Sequence, residues 1–329
     1  MIIDVFPHIL PTPFFERYYQ AGVSGRRPGP KCLYDLDLRF RIMDRFDEYK
    51  QVLTVPSSAV DALNQDPAAK ELAVLANDGM AELVVKYPDR FVGFAASLPF
   101  LGTDAALEEL ERCVGEPGFL GVEFCTSVNG TPMDDPRFEP FYARMAALDK
   151  AIWAHPSRPA AMADYPTESS SKHRLSTTFG WPYETAVFMS RLIFSGVMDR
   201  YPNLRFITHH AGGMVPHHAA RIVAQTKMRG HEGHPVAEFL KKDILDYYRM
   251  FYGDTALQGV AKHALECALS FFGVEHILFG TDMPFGEEDG AAYIRDNVAT
   301  VEALSLDTSE RQKIFEDNAR RVLGLRHAR

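Results

Sequence analysis

Eight short apolar runs recur along the 329-residue chain, and their spacing limits the fold more than any other feature. They cover Ile2 to Val5, Gln51 to Val55, Arg90 to Ala95 and Gly121 to Phe124 in the first half. Ala151 to His155, Arg205 to His209, Arg249 to Gly253 and His276 to Gly280 follow in the second. Each is rich in β-branched and aromatic residues and lacks polar alternation, as in parallel strands buried on both faces. Helical spacing of apolar residues predicts helices over Asp66 to Lys86, Ala105 to Val114, Pro136 to Lys150, Thr185 to Tyr201 and Ser309 to Leu323. On the second of these, Glu108, Glu109, Glu111 and Arg112 are expected on the wet side. Strands alternating with helices at this length predict one (β/α)₈ barrel over residues 1–329. An open doubly wound sheet is the alternative, but no glycine-rich turn follows the first run.

Composition bears mainly on exclusions. With 46% hydrophobic and 24% charged residues, the chain can bury a large core. No window reaches the roughly 18 to 20 apolar residues that a spanning helix needs. No basic stretch leads into an apolar leader segment, so a soluble, cytoplasmic protein is the expectation. A net charge of −9 without a Lys/Arg block argues against nucleic acid as a partner. Cys32, Cys113, Cys125 and Cys267 are scattered and form no CxxC pair, which predicts reduced, mostly buried thiols.

The chemistry-bearing residues cluster at the ends of the runs. His8, His155, the pair His209-His210 and Asp282 lie at or just past four different strand ends, which a barrel gathers at one mouth. Three imidazoles and a carboxylate there suit a borderline divalent ion such as zinc. Any one strand-end histidine alone reads as a hydrogen-bonded structural residue; the coincidence of four ends carries the signal. Two irregular stretches, 12–33 and 157–182, follow strands and are expected to cover the mouth as loops. The first carries Phe14, Phe15, Arg17, Tyr18, Tyr19, Arg26 and Arg27, a composition suited to a flat anionic ligand. Within the second, Lys172-His173-Arg174 is a candidate anion contact or a plain loop. Glu123 is expected as an internal hydrogen-bonded carboxylate. His217 and Arg221 would share a helix face, either solvated or at an interface, whereas His231 and His234 read as surface residues.

The sequence resembles the amidohydrolase-related decarboxylases typified by aminocarboxymuconate-semialdehyde decarboxylase. The likeness runs through Arg90-Phe91-Val92-Gly93, Gly121-Val122-Glu123, Asp134-Asp135-Pro136 and Ala154-His155-Pro156. It continues through Tyr201-Pro202-Asn203-Leu204, His210-Ala211-Gly212-Gly213 with Pro216, and Gly280-Thr281-Asp282-Met283-Pro284-Phe285. The resemblance implies metal ligation by His8, His155 and Asp282, acid/base chemistry at His210, and a homodimer. It implies that Arg221, from the neighbouring subunit in some members, and Arg39 contact a substrate carboxylate.

One position departs from the pattern. The family places His-x-His or Glu-x-His at the end of the first strand, and here Phe6-Pro7-His8 stands there. Strand periodicity aims Phe6 and His8 the same way, and a phenyl ring cannot coordinate. Three outcomes stay open: His8, His155 and Asp282 hold the ion with water or substrate; His209 or His210 is recruited; or the site binds metal weakly or not at all.

Non-oxidative decarboxylation of an aromatic or conjugated unsaturated, hydroxylated acid is the leading expectation, with a single zinc or manganese ion. His210 would serve as proton donor, and Asp282, if free of metal, would pair with it. The alternative is a metal-dependent hydrolase or hydratase with Asp282 as base, acting on an amide, lactone or C–C bond. A catalytically dead barrel used for binding is the third, and only Phe6 favours it.

Overall fold

The computed structural model describes residues 1–20, 28–57, 59–60, 68–100, 102–228 and 240–325. Eight strands form one sheet: β1 (Ile2–Asp4), β2 (Tyr49–Leu53), β3 (Phe91–Ser97), β4 (Phe119–Cys125), β5 (Ala151–His155), β6 (Arg205–Thr208), β7 (Tyr252–Asp254) and β8 (Ile277–Leu278). Their order in the sheet follows the chain from β1 to β8. Every neighbouring pair is parallel. The first and last strands meet through Val5 N–H to the Phe279 carbonyl (2.9 Å) and Asp282 N–H to the Phe6 carbonyl (3.0 Å). The sheet therefore comes round on itself as a (β/α)₈ barrel, as the alternation predicts.

β5 shows why the apolar runs become barrel strands. All five of its residues are buried. Ala151 and Trp153 pack in the barrel interior with Val5, Val52, Ala95, Ile207 and Leu278. Ile152 and Ala154 face the other way, into the layer beneath the helices. Both faces are apolar, so the alternation that marks a half-exposed strand is missing from the sequence. Trp153 fills much of the interior and donates its indole N–H to the Val5 carbonyl across the barrel (2.8 Å). Gly121 makes room for it: a Cβ there would lie 2.0 Å from the Ala151 carbonyl oxygen and 3.0 Å from the Trp153 ring.

The outer layer refines the expected helices. Ala69–Lys86 and Thr103–Val114 match the predicted segments within a few residues. Asp66 and residues 21–27 of the first irregular stretch lie outside the described residues, as do His231, His234 and the last four positions. Helices Leu36–Met43, Lys262–Phe272 and Ala291–Glu302 were not anticipated. Glu109 does not face water as expected; it is 6% exposed. Asn77 explains this by donating to Glu109 Oε1 (2.6 Å) and to the Ser97 carbonyl (3.0 Å), tying two helices to β3. Cys32, Cys113 and Cys125 are buried, Cys267 is half-buried, and all are free thiols. No helix among the described residues is long and apolar enough to cross a membrane.

Candidate active site

The C-terminal ends of the strands deliver a buried cluster. His8 follows β1, His155 ends β5, His209 follows β6 and Asp282 follows β8; each is at most 3% exposed. One ligand atom from each lies within 4.8 Å of every other. His8 Nε2 is 3.3 Å, and His209 Nε2 3.6 Å, from Asp282 Oδ1.

The outward side of each ring fixes what its inward side can do. His8 Nδ1 lies 3.1 Å from the Val55 carbonyl, and His155 Nδ1 lies 2.8 Å from the Pro156 carbonyl. A carbonyl only accepts, so Nδ1 carries the proton and Nε2 of the neutral ring keeps a lone pair. His209 Nδ1 is bonded to the Asp254 carboxylate, whose other oxygen accepts from His210 N–H (2.9 Å) and Ala256 N–H (3.1 Å). His8 Nε2 and His209 Nε2 are buried without a hydrogen-bond partner. Orphaned nitrogens beside a carboxylate, each ring braced from behind, fit a divalent cation with nitrogen and oxygen preference.

Charge in the metal-free cluster is uneven. Burial lowers His8 and, with the neighbouring His209 and His8 charges, holds His155 well below the ordinary imidazole range. At His209 burial also opposes charge, but Asp254 and Asp282 win and raise it to about 10. Asp282 is desolvated too, yet the charges of the His209 and His8 imidazoles beside it hold it well below the usual carboxylate range. Asp282 thus pairs with His8 and His209; no bond joins it to His210, contrary to the expected pairing. Glu123 is fully buried with one oxygen accepting from Val55 N–H (3.1 Å), and desolvation pushes it well up, toward the neutral acid.

His210 stands beside the cluster, not in it. Its backbone and that of Asp282 take positive φ (56° and 64°), a costly conformation for side-chain-bearing residues that re-aims each side chain at the mouth. The His210 ring stacks on Trp181 (centroids 6.0 Å, planes 29° apart). Burial, and then the His209 charge, lower it to about 3, and its Nδ1 is buried without a partner. The ring looks onto a cavity of about 440 Å³ lined also by Arg174, Thr177, Trp181, Gln258 and Tyr293. Gln258 Nε2 donates to Asp282 Oδ2 (3.2 Å), which joins that cavity to the cluster. A larger cavity, about 640 Å³, is lined by neither His210 nor any cluster residue. Two of its arginines are already engaged, Arg158 with Glu184 (2.9 Å) and Arg191 with Asp134 (2.6 Å).

The two expected substrate arginines lie elsewhere. Arg39 is completely buried behind the cluster, donating to Gln51 Oε1 (2.8 Å) and to the His8 carbonyl (2.8 Å). That placement suits bracing His8 and does not fit a guanidinium facing substrate. Arg221 is exposed on helix Ala219–Thr226, next to exposed His217 and His218, and does not line the cavity of its own chain. Arg174, on the second irregular stretch, does line it. Asp254, Trp181, Gln258 and Tyr293 were missed. Asp254 ends β7 and the strand-end logic would have found it had that run been extended by one residue; the other three carry no signal in a single sequence.

The buried group of three histidines and an aspartate stands at the C-terminal mouth of the barrel, where enzymes of this fold carry their chemistry. The family model described as Amidohydrolase matches residues 3–325, and the chain belongs to that family. It is 34% identical over 292 residues to gamma-resorcylate decarboxylase of Rhodococcus jostii (strain RHA1), covering 86% of this chain and 85% of that one. It is 30% identical over 305 residues to 2-amino-3-carboxymuconate-6-semialdehyde decarboxylase of Dictyostelium discoideum, covering 86% and 81%. Among solved structures, dihydroxybenzoic acid decarboxylase from Polaromonas sp. JS666, with bound manganese and the inhibitor 2-nitroresorcinol, superposes with a TM-score of 0.78. Its sequence identity is 30%, over 99% of this chain and 98% of that one.

Proposed function

We propose that this protein is a carboxy-lyase that removes the carboxylate of an aromatic or conjugated, hydroxylated acid as CO₂ without oxidation. The observation that carries the reading is the junction of the cluster with the His210–Trp181 cavity: metal-type donors and a pocket-facing imidazole share one mouth. Relatives named for decarboxylation of gamma-resorcylate and of 2-amino-3-carboxymuconate-6-semialdehyde support the reaction type. Manganese in the Polaromonas relative supports a divalent ion at the cluster, and the nitrogen and oxygen donors there suit zinc as well.

His8, His155 and Asp282 would hold that ion. When bound, it would supply positive charge against the negative charge on substrate oxygen. The chain's own residues do the rest. Trp181 offers a flat apolar wall for a planar ring, and Arg174 a guanidinium for the carboxylate. Dry surroundings and the neighbouring His209 keep free His210 neutral. An anionic substrate arriving beside it favours the protonated ring. His210 then passes that proton to the carbon bearing the carboxylate. The C–C bond breaks, its electron pair returns to the ring π-system, and CO₂ leaves.

Arg221 enters this proposal only through a second copy. On a homodimer its exposed helix would face the neighbour's cavity, and light scattering with Arg221→Ala kinetics tests that arrangement. The reaction itself is tested by supplying gamma-resorcylate and a panel of hydroxybenzoates to metal-loaded protein and measuring CO₂ and the decarboxylated phenol. Equal yields of the two are expected. Silence across the panel, together with hydrolysis of an amide or lactone, would overturn the reading.

A further inference from the structure

We propose that His209 is itself a metal ligand in this chain, supplying the coordination that position 6 cannot. The inference rests on the metal-dependent reading above and concerns which side chains make the site.

Position 6 points into the cluster. The Phe6 ring lies 5.7 Å from the His8 ring, 5.9 Å from that of His155 and 3.9 Å from that of His209, centroid to centroid. It lies against the three imidazoles and offers no lone pair. Without a further donor, the protein would present two imidazoles and a carboxylate.

His209 meets the requirements for that further donor. Its Nε2 is completely buried, has no hydrogen-bond partner and lies 3.6 Å from Asp282 Oδ1. An unpaired imidazole nitrogen in a dry cavity is costly, and a cation would satisfy it. Its other nitrogen is held by Asp254. That carboxylate is itself fixed by the backbone N–H groups of His210 and Ala256. A carboxylate behind the distal nitrogen sets the tautomer and orientation of a ligating imidazole and strengthens it as a donor. Phe6, stacked on the ring with planes 22° apart, keeps it from turning away.

His210 does not compete for this role. Its ring packs on Trp181 and faces the substrate cavity, and it is absent from the group of donors within reach of one another. The sequence pair His209-His210 therefore divides its work: the first imidazole turns into the barrel and the second to the cavity. The resulting set is three imidazoles and one carboxylate, drawn from the ends of β1, β5, β6 and β8.

X-ray absorption on zinc-loaded wild-type protein counts imidazoles directly and needs neither turnover nor a variant. Three per zinc is the expected count; two would overturn the assignment. Competition titration with a chelator then compares variants whose folding is checked by circular dichroism. His209→Ala is expected to weaken zinc binding at least about 100-fold, and Asp254→Asn about 10- to 100-fold. Folded His209→Ala that keeps wild-type affinity would also overturn it. A wild-type protein that takes up no zinc or manganese removes this proposal together with the metal part of the functional one. Two imidazoles in a protein that releases CO₂ would leave the reaction standing and sink only the ligand. Three in a protein inert toward every acid tested would do the reverse.

Discussion

The Phe6 and His209 rings are stacked, with centroids 3.9 Å apart and planes 22° from parallel. An aromatic ring at the end of β1 thus leans on an imidazole at the end of β6, in a space where both are fully buried. Phe6 serves in packing and offers no lone pair to an ion. Replacing it with histidine would put a fourth imidazole beside the other three. Phe6→His is expected to tighten zinc binding at least about tenfold, because an added protein ligand lowers the cost of assembling the site. Removing the stacked ring also loses packing, so the metal-free variant should melt lower. Chelator competition and thermal melts with and without zinc read the two effects separately. Unchanged affinity would show that position 6 no longer points at the ion.

His210 separates binding from proton transfer. It lines the cavity and stacks on Trp181, while the donor cluster stands without it. His210→Asn is therefore expected to keep metal content and melting temperature while losing about 10²- to 10⁴-fold in kcat. Solvent deuterium incorporated at the carbon that carried the carboxylate would report the proton route in the wild type. A variant within threefold of wild-type kcat would end the acid/base role.

The barrel was readable from sequence because its strands are buried on both faces, so β5 is an unbroken apolar word ending in His155. The metal-type residues were readable for the same reason: a polar side chain closing such a word has only the barrel mouth to occupy. Arg39 was misleading, since nothing in a linear text shows that its guanidinium is used by Gln51 and the His8 carbonyl. Tyr293 and Gln258 were invisible because each reaches the cavity from a loop or helix whose path depends on the whole fold. Glu109 failed for a simpler reason: its buried partner, Asn77, lies on another helix.

Arg174 gives the cavity a guanidinium with no acidic partner among the described residues. Next to it stands Tyr293, whose hydroxyl is raised by desolvation and by Asp282, and eased down by Arg174. A charged hydrogen bond to a substrate carboxylate is worth about 1.5 to 3 kcal/mol. Arg174→Ala is accordingly expected to raise KM about 10- to 100-fold while kcat falls only a few-fold, the pattern of lost uniform binding. Arg174→Lys should recover part of the loss, as a point charge without the planar fork. If kcat collapses and KM stays put, the arginine acts on the transition state instead.

Asp4 sets a pH dependence away from the donor cluster. The carboxylate is fully buried, and accepts from Phe6 N–H (3.1 Å), Thr281 N–H (3.1 Å), the Thr281 hydroxyl (2.5 Å) and Tyr49. Desolvation outweighs these bonds and raises it from 3.8 to about 6. Between those values the folded protein holds a proton that the unfolded chain has released, so stability falls as pH rises through the window. The loss amounts to about 3 kcal/mol at most, at 1.36 kcal/mol per unit. Asp4→Asn stays neutral throughout, so its urea midpoints from pH 4 to 6.5 should lack the part of the decline due to Asp4. The difference between the two curves isolates Asp4 from carboxylates elsewhere in the chain. Parallel curves would mean that the four donors keep Asp4 ionised in the folded state, and that its tie between β1 and Thr281 is a charged one.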